Sequence, residues 1–448
     1  MKTTTKLKLP PAVKGNWFFG AGLDFALDPI SFLNKHRDTQ GGIYMVPSRA
    51  KNIMVVQDPE LVKYMLQDNN KNFIKSFGYD VLAMLLGKGL LTSEGDFWRK
   101  QRRMAQPAFH KERLNSMVNA MVNCTNEFME KLEAKRGQVV DLSKEMSHVT
   151  LHIVATSLFS SNVEDVVDTV AQEMDIAQGL AIERISNPFK LPAWIPTPGN
   201  LKEKKSIALL DKVMMDIIEK RRNDPNKYDD LLQMLMEVKD EDTGEQMSDR
   251  QLRDECMTIF LAGHETTALA LTWLWYILDN NPTEIDKLRE EAETVLQGNN
   301  PQVEDVMKLE YTRMAIDEGM RLFPPAWAIG RRAVEDDEIG GYRIPKGYNL
   351  IVPVYHIHHD PRIWDDAERF IPERFRKGNL KDKHRFAYFP FGGGPRLCIG
   401  NNFALMEMQI VVAMMVTRFR FKHVEGHKVV LDPLITLRSK FGMQMKVE

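Results

Sequence analysis

The pattern of hydrophobic and polar positions predicts a small amount of β-structure at distant places in the chain. Residues 41–46 and 51–56 alternate apolar and polar side chains and are rich in β-branched residues, so they predict a hairpin. Residues 341–344 and 348–354 are expected to join the same sheet, and residues 436–447 to form a last hairpin. The predicted strands are few and short.

A helical period dominates the rest of the chain. Helices are predicted at residues 59–67 and, with few breaks, across residues 114–221. Segment 185–198 predicts an apolar joint between two helices. Its large apolar side chains are Phe189, Leu191, Trp194 and Ile195. Residues 73–91 are rich in Phe, Leu and Met but interrupted by glycines, which is compatible with either a mobile apolar wall or an ordinary buried loop.

The longest predicted helix begins at Ser248, a candidate N-cap, and stops at Asn281-Pro282. At about 1.5 Å per residue it is roughly 45 Å long, enough to cross the whole molecule. Together these elements predict a mainly α chain with a small β portion, an α+β fold.

Composition narrows the class of protein. The chain has 448 residues, of which 43% are hydrophobic and 27% charged, with a net charge of −2. These values are typical of a soluble globular enzyme and give no nucleic-acid signal. Residues 1–14 contain no apolar stretch long enough for a membrane anchor or signal peptide. The three cysteines are widely spaced, which argues against a disulfide framework and favours the cytoplasm.

Candidate chemistry centres on Cys398, which lies in the Gly- and Pro-rich stretch 389–400. A thiolate there would suit a nucleophile, a zinc ligand or the axial ligand of a haem iron. Zinc sites need two or more cysteines at short spacing, and this chain has none. A nucleophile needs a base, and the nearest histidine, His384, lies in no recognisable hydrolase pattern.

Three further patterns carry polar side chains at helical spacing. In the middle of the long helix, Ala262 and Gly263 leave room beside Glu265 and Thr266, and Ala268 stands where a zinc-binding H-E-x-x-H motif would need its second histidine. Other pairs share one helix face each: Trp98 with Arg102, and Glu318 with Arg321.

The stretch F-x-x-G-x-R-x-C-x-G, from Phe391 to Gly400, matches the haem-binding loop of the cytochrome P-450 family at every motif position. The A-G-x-E-T-T, W-x-x-x-R, E-x-x-R and P-E-R-F patterns resemble the same family and occur in its order. The resemblance implies one domain over residues 1–448, a triangular helical prism around a buried haem b. The β-rich part is then expected at residues 40–57 and 339–355.

The resemblance also implies roles for single residues. Cys398 is the expected axial ligand of the haem iron, and Glu265 with Thr266 would relay protons on the oxygen-binding side. Expected cofactor-binding residues are Trp98, Arg102, Arg331, Phe391, Arg396 and Gly400. The adjacent Arg332 leaves the register of Arg331 open, and the sequence does not settle whether Lys75 or His384 also contacts a propionate. An expected structural ion-pair triad consists of Glu318, Arg321 and Arg374.

The family further implies a monooxygenase that inserts one oxygen atom from O2 into a C–H bond of a lipophilic substrate. The residues at the motif positions resemble those of fatty-acid hydroxylases, so a long-chain fatty acid is the first expected substrate. A terpenoid, carotenoid or steroid is the second, with a peroxygenase and a non-enzymatic haem sensor as remote alternatives. The expected pocket residues are Phe77, Tyr79, Leu82, Met84, Leu85, Phe260, Ala262, Ala328, Ile329 and Phe441.

Electrons are expected to come from NAD(P)H through a separate protein, a ferredoxin or flavodoxin with its reductase. A basic patch just before the Cys398 loop, extended by the helix of Trp98, would steer such an acidic partner. Its members are Arg99, Lys100, Arg103, Lys381 and Lys383. We expect no membrane anchor and a monomer.

Overall fold

The computed structural model describes residues 7–15, 20–37, 41–48, 52–160, 164–186, 191–226, 228 and 230–448. Helices dominate these residues: α1 Gly22–Leu27, α2 Pro29–His36, α3 Pro59–Lys63, α4 Phe77–Leu86, α5 Gly95–Ala105, α6 Lys111–Ser116, α7 Val118–Glu133, α8 Leu142–Phe159, α9 Glu164–Ser186, α10 Pro198–Asn223, α11 Leu231–Glu237, α12 Asp249–Asp279, α13 Pro282–Leu296, α14 Val303–Val306, α15 Glu310–Leu322, α16 Val354–His358 and α17 Asn401–Val416.

The strands are short: β1 Ile43–Val46, β2 Ile53–Val56, β3 Phe73–Lys75, β4 Val139–Asp141, β5 Ile329–Ala333, β6 Asp337–Ile339, β7 Tyr342–Ile344, β8 Asn349–Val352, β9 Phe421–His423, β10 Leu431–Pro433, β11 Leu437–Ser439 and β12 Gln444–Val447. The largest sheet has the order β1-β2-β8-β5-β3, in which only the β2–β8 pair is parallel. Beside it the described residues form a three-stranded sheet, β4-β12-β9, and the ribbons β10-β11 and β6-β7.

Helix α12 runs through the largest hydrophobic cluster, which explains why so much of it is buried. A capping box starts it, because Ser248 and Gln251 satisfy each other's backbone N–H groups. A small residue lets α12 pack closely against α8, because a Cβ on Gly263 would lie 3.2 Å from Val154 of α8. The predicted start at Ser248 and the stop before Pro282 are confirmed.

Several predictions of local structure are wrong in informative ways. The two strands expected as one hairpin at residues 436–447 belong to different sheets, since β11 pairs with β10 while β12 pairs with β4 and β9. Strand β7 pairs with β6 and does not join the large sheet. Residues 73–91 are not an ordinary loop, because they hold β3 and α4. Residues 187–190 of the predicted apolar joint lie outside the described part of the chain.

Candidate active site

The Cys398 loop is held close to the backbone that follows α3. Gly392 and Gly394 adopt φ of 74° and 65°, a region that glycine tolerates and other residues rarely enter. A side chain on Gly394 would collide with the carbonyl of Leu66. The loop closes on itself where the Cys398 N–H donates to the Phe391 carbonyl at 3.0 Å. The glycines of the motif therefore permit close packing and the tight turn that precedes Cys398.

Many protein atoms surround the Cys398 side chain. Part of its surface is nevertheless accessible, so the residue borders an open space inside the fold. Burial raises the pKa of the thiol, while the Gly400 N–H and the Arg102 guanidinium oppose that rise. Arg102 itself donates to the Leu397 carbonyl at 2.8 Å, next to Cys398. A sulfur placed this way suits a metal ligand, because a bound metal ion favours the thiolate that these groups also favour.

Beside the loop lies a cation cluster, formed by Lys75, Arg331, Arg396 and the single carboxylate Glu94. Lys75 and Arg331 face each other across the β3–β5 ladder. Arg396 donates to the Ser93 carbonyl at 2.9 Å and binds Glu94, and its guanidinium lies 3.8 Å from the centre of the Trp98 ring. These contacts bring residues from four distant parts of the chain together.

Positive charge in the cation cluster exceeds negative charge. Burial and the neighbouring arginines hold the pKa of Lys75 well below its usual value, and burial lowers the pKa of Arg396 to about 10. Buried charges are normally paired, so the excess of cations over Glu94 fits an anionic ligand. The two propionates of haem have that charge. The donor set therefore fits haem at both ends, with sulfur for the iron and cations for the propionates.

The structure separates residues that the sequence left ambiguous. Arg331 is buried within the cation cluster, whereas Arg332 points to the other face of β5 and lies 3.5 Å from Asp80. Lys75 belongs to the cluster and stacks over the Tyr79 ring at 4.4 Å. His384 lies elsewhere, with its Nε2 atom 3.0 Å from Glu60.

The middle of α12 has two consecutive threonines that bond back to the helix. Thr266 Oγ1 donates to the Ala262 carbonyl at 2.8 Å, and Thr267 Oγ1 donates to Gly263 at 2.9 Å. Such bonds compete with the helix ladder and loosen it locally. Ala262 is exposed in the middle of this otherwise buried helix, so its face borders open space. Thr266 lies one turn away on that face.

Glu265 is held by an acid clamp, which we define as Glu265, Thr436, Arg438 and Gln178. Glu265 Oε1 accepts from Thr436 Oγ1 at 2.5 Å and from Arg438 Nε at 3.0 Å, and Arg438 Nη2 binds it as well. Arg438 Nη2 also donates to Gln178 Oε1 of α9 at 2.7 Å. The acid clamp thus ties α12, α9 and the β10–β11 ribbon together. No motif in the sequence pointed to Arg438.

The predicted pocket residues fall into three groups. The first group consists of the partly exposed Phe77, Tyr79, Ala328 and Ile329, together with the exposed Ala262. Leu82, Leu85 and Phe260 are buried in the main core. Met84 and Phe441 are exposed by 42% and 55%, and Phe441 follows β11 on a turn beside Gly442. Exposure therefore separates the predicted pocket residues into partly exposed, buried and surface positions.

The predicted triad is buried behind the Cys398 loop. Glu318 binds Arg321 at 2.7 Å and Arg374 at 3.3 Å, and Glu318 and Arg321 are fully buried. Arg321 also donates to the His358 carbonyl, and the His358 ring accepts the Phe389 N–H at 3.1 Å. His358 of helix α16 therefore links the triad to the start of the loop. Among the residues with described positions, no group of His, Cys, Asp and Glu could hold a metal ion on its own.

Three of the five predicted docking cations are already paired. Arg99 binds Asp96, Lys100 binds Glu245 at 2.9 Å, and Arg103 binds Asp240 and Asp242 at 2.6 Å each. Lys383 lies 5.0 Å from the Trp364 ring and donates to the Ile363 carbonyl. Lys381 is exposed.

Comparisons with known proteins agree on one family. A family model described as Cytochrome P450 matches residues 10–444. The chain is 31% identical over 442 residues to carotene epsilon-monooxygenase of Arabidopsis thaliana, covering 93% of this chain and 81% of that protein. It is 33% identical over 381 residues to cyclooctat-9-en-7-ol 5-monooxygenase of Streptomyces melanosporofaciens, covering 85% and 82%.

The same agreement holds for solved structures. The cytochrome P450DA heme domain superposes with a TM-score of 0.90 at 25% identity, covering 99% of this chain and 98% of that one. Within the part of the chain that the structure describes, no helix has both the length and the apolar character needed to cross a bilayer.

Proposed function

The chain belongs to the cytochrome P450 family and is a haem-dependent monooxygenase, and from this premise we propose that its substrate is a neutral lipophile of the isoprenoid type. The relatives supply the observation that carries the proposal. One is named for carotene and another for cyclooctat-9-en-7-ol, and neither name describes an acid. Both align with most of this chain.

The local chemistry of the site supports a neutral substrate. The partly exposed side chains on the oxygen side are mostly apolar, which favours lipophilic ligands. Arg438 is the cation beside Glu265, and that carboxylate balances its charge. The cations near Cys398 suit the haem propionates. A fatty-acid carboxylate entering the acid clamp would therefore compete with Glu265 for Arg438.

The residues that hold haem act by binding and orientation. Cys398 would bind the iron through its sulfur, Gly400 N–H and Arg102 would stabilise the thiolate, and the cation cluster would bind the propionates. When bound, haem supplies the activation of dioxygen with two electrons from a redox partner. Phe391 packs against the main core beside the loop, where it would shield the sulfur from water.

Proton delivery is the proposed role of Thr266 and Glu265. A threonine hydroxyl both donates and accepts, so Thr266 Oγ1 can pass a proton along a hydrogen-bonded path. It lies on the same open face of α12 as Ala262. Glu265 is adjacent in sequence and, in the acid clamp, holds a carboxylate that can take up a proton.

Spectral titration tests the substrate class. Purified haem protein would be titrated with a carotene, a cyclic terpenoid alcohol and palmitic acid, and each turnover mixture would be analysed for hydroxylated product. The proposal predicts a substrate-induced absorbance shift and product from an isoprenoid. Ala262→Phe, which fills the open face of α12, should abolish the shift. Binding and hydroxylation of palmitic acid alone would instead support the competing candidate, a long-chain fatty acid.

We also propose a ferredoxin or flavodoxin as electron donor and the cytoplasm as location. Family members take electrons from redox partners, and the three cysteines are free. Because Arg99, Lys100 and Arg103 are paired with carboxylates, docking of an acidic donor is expected to depend mainly on Lys381 and Lys383. The double variant Lys381→Glu/Lys383→Glu should slow reduction by an acidic ferredoxin, most at low salt, whereas Lys100→Glu should have little effect. If Lys100→Glu slowed reduction more than the double variant did, Lys381 and Lys383 would be excluded as the docking surface.

A further inference from the structure

We propose that Arg438 is a positioning residue for Glu265, which keeps the proton-delivering carboxylate fixed beside the open face of α12. The inference rests on the proposed role of Glu265 in proton delivery. Arg438 lies on β11, 173 residues after Glu265, and the pair meets only because the β10–β11 ribbon packs over α12. Trp273 of α12 donates to the Leu437 carbonyl at 2.9 Å and fixes this ribbon independently.

The first step of the argument is the number of donors on one oxygen. Glu265 Oε1 accepts from Thr436 Oγ1 and from both Nε and Nη2 of Arg438. Charge-assisted bonds of this kind are short and directional, so the carboxylate has one preferred orientation. Within the described residues these bonds all converge on Oε1, which leaves Oε2 as the oxygen that can exchange a proton.

The second step concerns exposure. The Glu265 side chain is 13% exposed and that of Arg438 is 30% exposed, so the pair is screened only in part. A partly buried carboxylate without its cation would be poorly solvated and would turn toward water. Loss of Arg438 would therefore move the acid away from the face that carries Thr266.

The third step is the link to α9. Gln178 is 3% exposed, and Arg438 Nη2 donates to its side-chain oxygen. One guanidinium thus satisfies a buried amide and the acid at once, with geometry that the planar fork of arginine provides and an ammonium group does not. Lysine at position 438 would keep the charge but could not reproduce both contacts.

The experiment compares Arg438→Met, Arg438→Lys and the control Lys440→Met, with and without Glu265→Gln. Product and hydrogen peroxide are measured per NAD(P)H consumed, together with the substrate dissociation constant from spectral titration. Arg438→Met should lower product yield by about ten-fold, less than the roughly hundred-fold or greater contribution of a positioned proton donor. Arg438→Lys should restore part of it, and the dissociation constant should change little. Lys440→Met should behave as wild type.

A double-mutant cycle separates positioning from a merely structural role. In the Glu265→Gln background, Arg438→Met should cause no further loss of coupling, because its effect passes through the carboxylate. The thermal midpoint of the haem-free protein gives a second readout. Arg438→Met should lower this midpoint in both backgrounds, because it also removes the donor to the buried Gln178 oxygen, but by less in the Glu265→Gln background, where the carboxylate charge has already been removed.

The two proposals fail differently. If Glu265→Gln leaves coupling intact, the proposed role of Glu265 in proton delivery is wrong. If Glu265→Gln uncouples the enzyme but Arg438→Met does not, or if their effects add fully, only the positioning role of Arg438 is overturned. Improved coupling in Arg438→Met would also overturn it, since Arg438 would then restrain the acid.

Discussion

Single residues determine the electrostatics around Cys398. The motif residues Arg396 and Cys398 are recognisable from the sequence, because both lie in one contiguous loop. Glu94 is not, and the sequence left Lys75 undecided, because their place beside Arg396 depends on the β3–β5 register and on the start of α5. Sequence patterns identify local motifs, whereas charge balance between distant segments needs the fold.

Replacing Lys75 by methionine should affect the haem-free and haem-bound proteins in opposite directions. Removing one of several like charges should raise the thermal midpoint of the haem-free protein. Losing a charged hydrogen bond to a propionate should weaken haem binding by about 1.5–3 kcal/mol, roughly ten- to a hundred-fold. Calorimetry and haem-transfer assays measure the two effects, with the exposed Lys71→Met as control. A decrease in both the thermal midpoint of the haem-free protein and the haem affinity would contradict the role of the cation cluster.

The two adjacent threonines of α12 provide a matched pair for proton delivery. Thr266 lies on the open face, whereas Thr267 is buried, and both bond back to the helix in the same way. Thr266→Ala should therefore divert electrons to hydrogen peroxide, while Thr267→Ala should preserve coupling although it also removes a helix back-bond. The ratio of peroxide to product measures this. Equal uncoupling in both variants would assign the effect to helix geometry.

At the scale of elements, helix α15 supports the Cys398 loop through a buried ion pair. Glu318→Gln would leave Arg321 as an unpaired buried charge, which costs about 3–5 kcal/mol. The denaturant midpoint of the haem-free protein should fall accordingly. Glu310→Gln, an exposed change in the first turn of the same helix, should alter it very little. A small effect of Glu318→Gln would contradict the stabilising role of this ion pair, because Arg374 loses the same carboxylate and cannot replace it.

The loop after α4 is clamped to α12 by two acids. Lys88 N–H donates to Asp254 at 2.8 Å and Leu90 N–H donates to Glu255 at 3.0 Å. Gly87 has a positive φ, and a side chain there would collide with Asp254. The sequence showed the glycines but not their partners, because the acids belong to a helix far along the chain. Residues 436–447 were wrongly predicted as one hairpin for the same reason, because β11 pairs with β10 and β12 pairs with β4 and β9.

The Glu255 clamp predicts a pH dependence of stability. Burial is the main cause that raises the pKa of Glu255 from 4.5 to about 8, with Asp254 adding to it. The folded protein therefore keeps a proton that the unfolded chain loses, and the free energy of unfolding falls as pH rises between those values. Glu255→Gln keeps an acceptor for Leu90 and removes this titration. The free energy of unfolding of the wild type minus that of Glu255→Gln should decline from about pH 4.5 to 8 and then level off.

A constant difference across that pH range would show that Glu255 is ionised throughout. Other buried groups titrate in both proteins alike, among them His264, whose pKa burial lowers to about 4. Comparing wild type with the variant therefore isolates the contribution of Glu255.

At the scale of the whole molecule, the proposed function requires two chemically different surfaces to border one haem. One is the Cys398 loop with the cation cluster, and the other is the open face of α12 with the acid clamp. The fold class was predictable because its motifs occur in order along the chain, and the TM-score of 0.90 to a solved heme domain agrees with it. The substrate class was not, because the lining depends on which apolar side chains remain exposed.

The absorbance spectrum of the reduced carbon monoxide complex tests the central claim most directly. Wild-type protein reconstituted with haem should show the long-wavelength band that thiolate ligation gives, at one haem per chain. Cys398→Ser should lose that band, and Cys398→His should show the shorter-wavelength band of a nitrogen ligand if it retains haem. A long-wavelength band that persists in Cys398→Ser, or is missing from the wild type, would contradict ligation of the iron by Cys398.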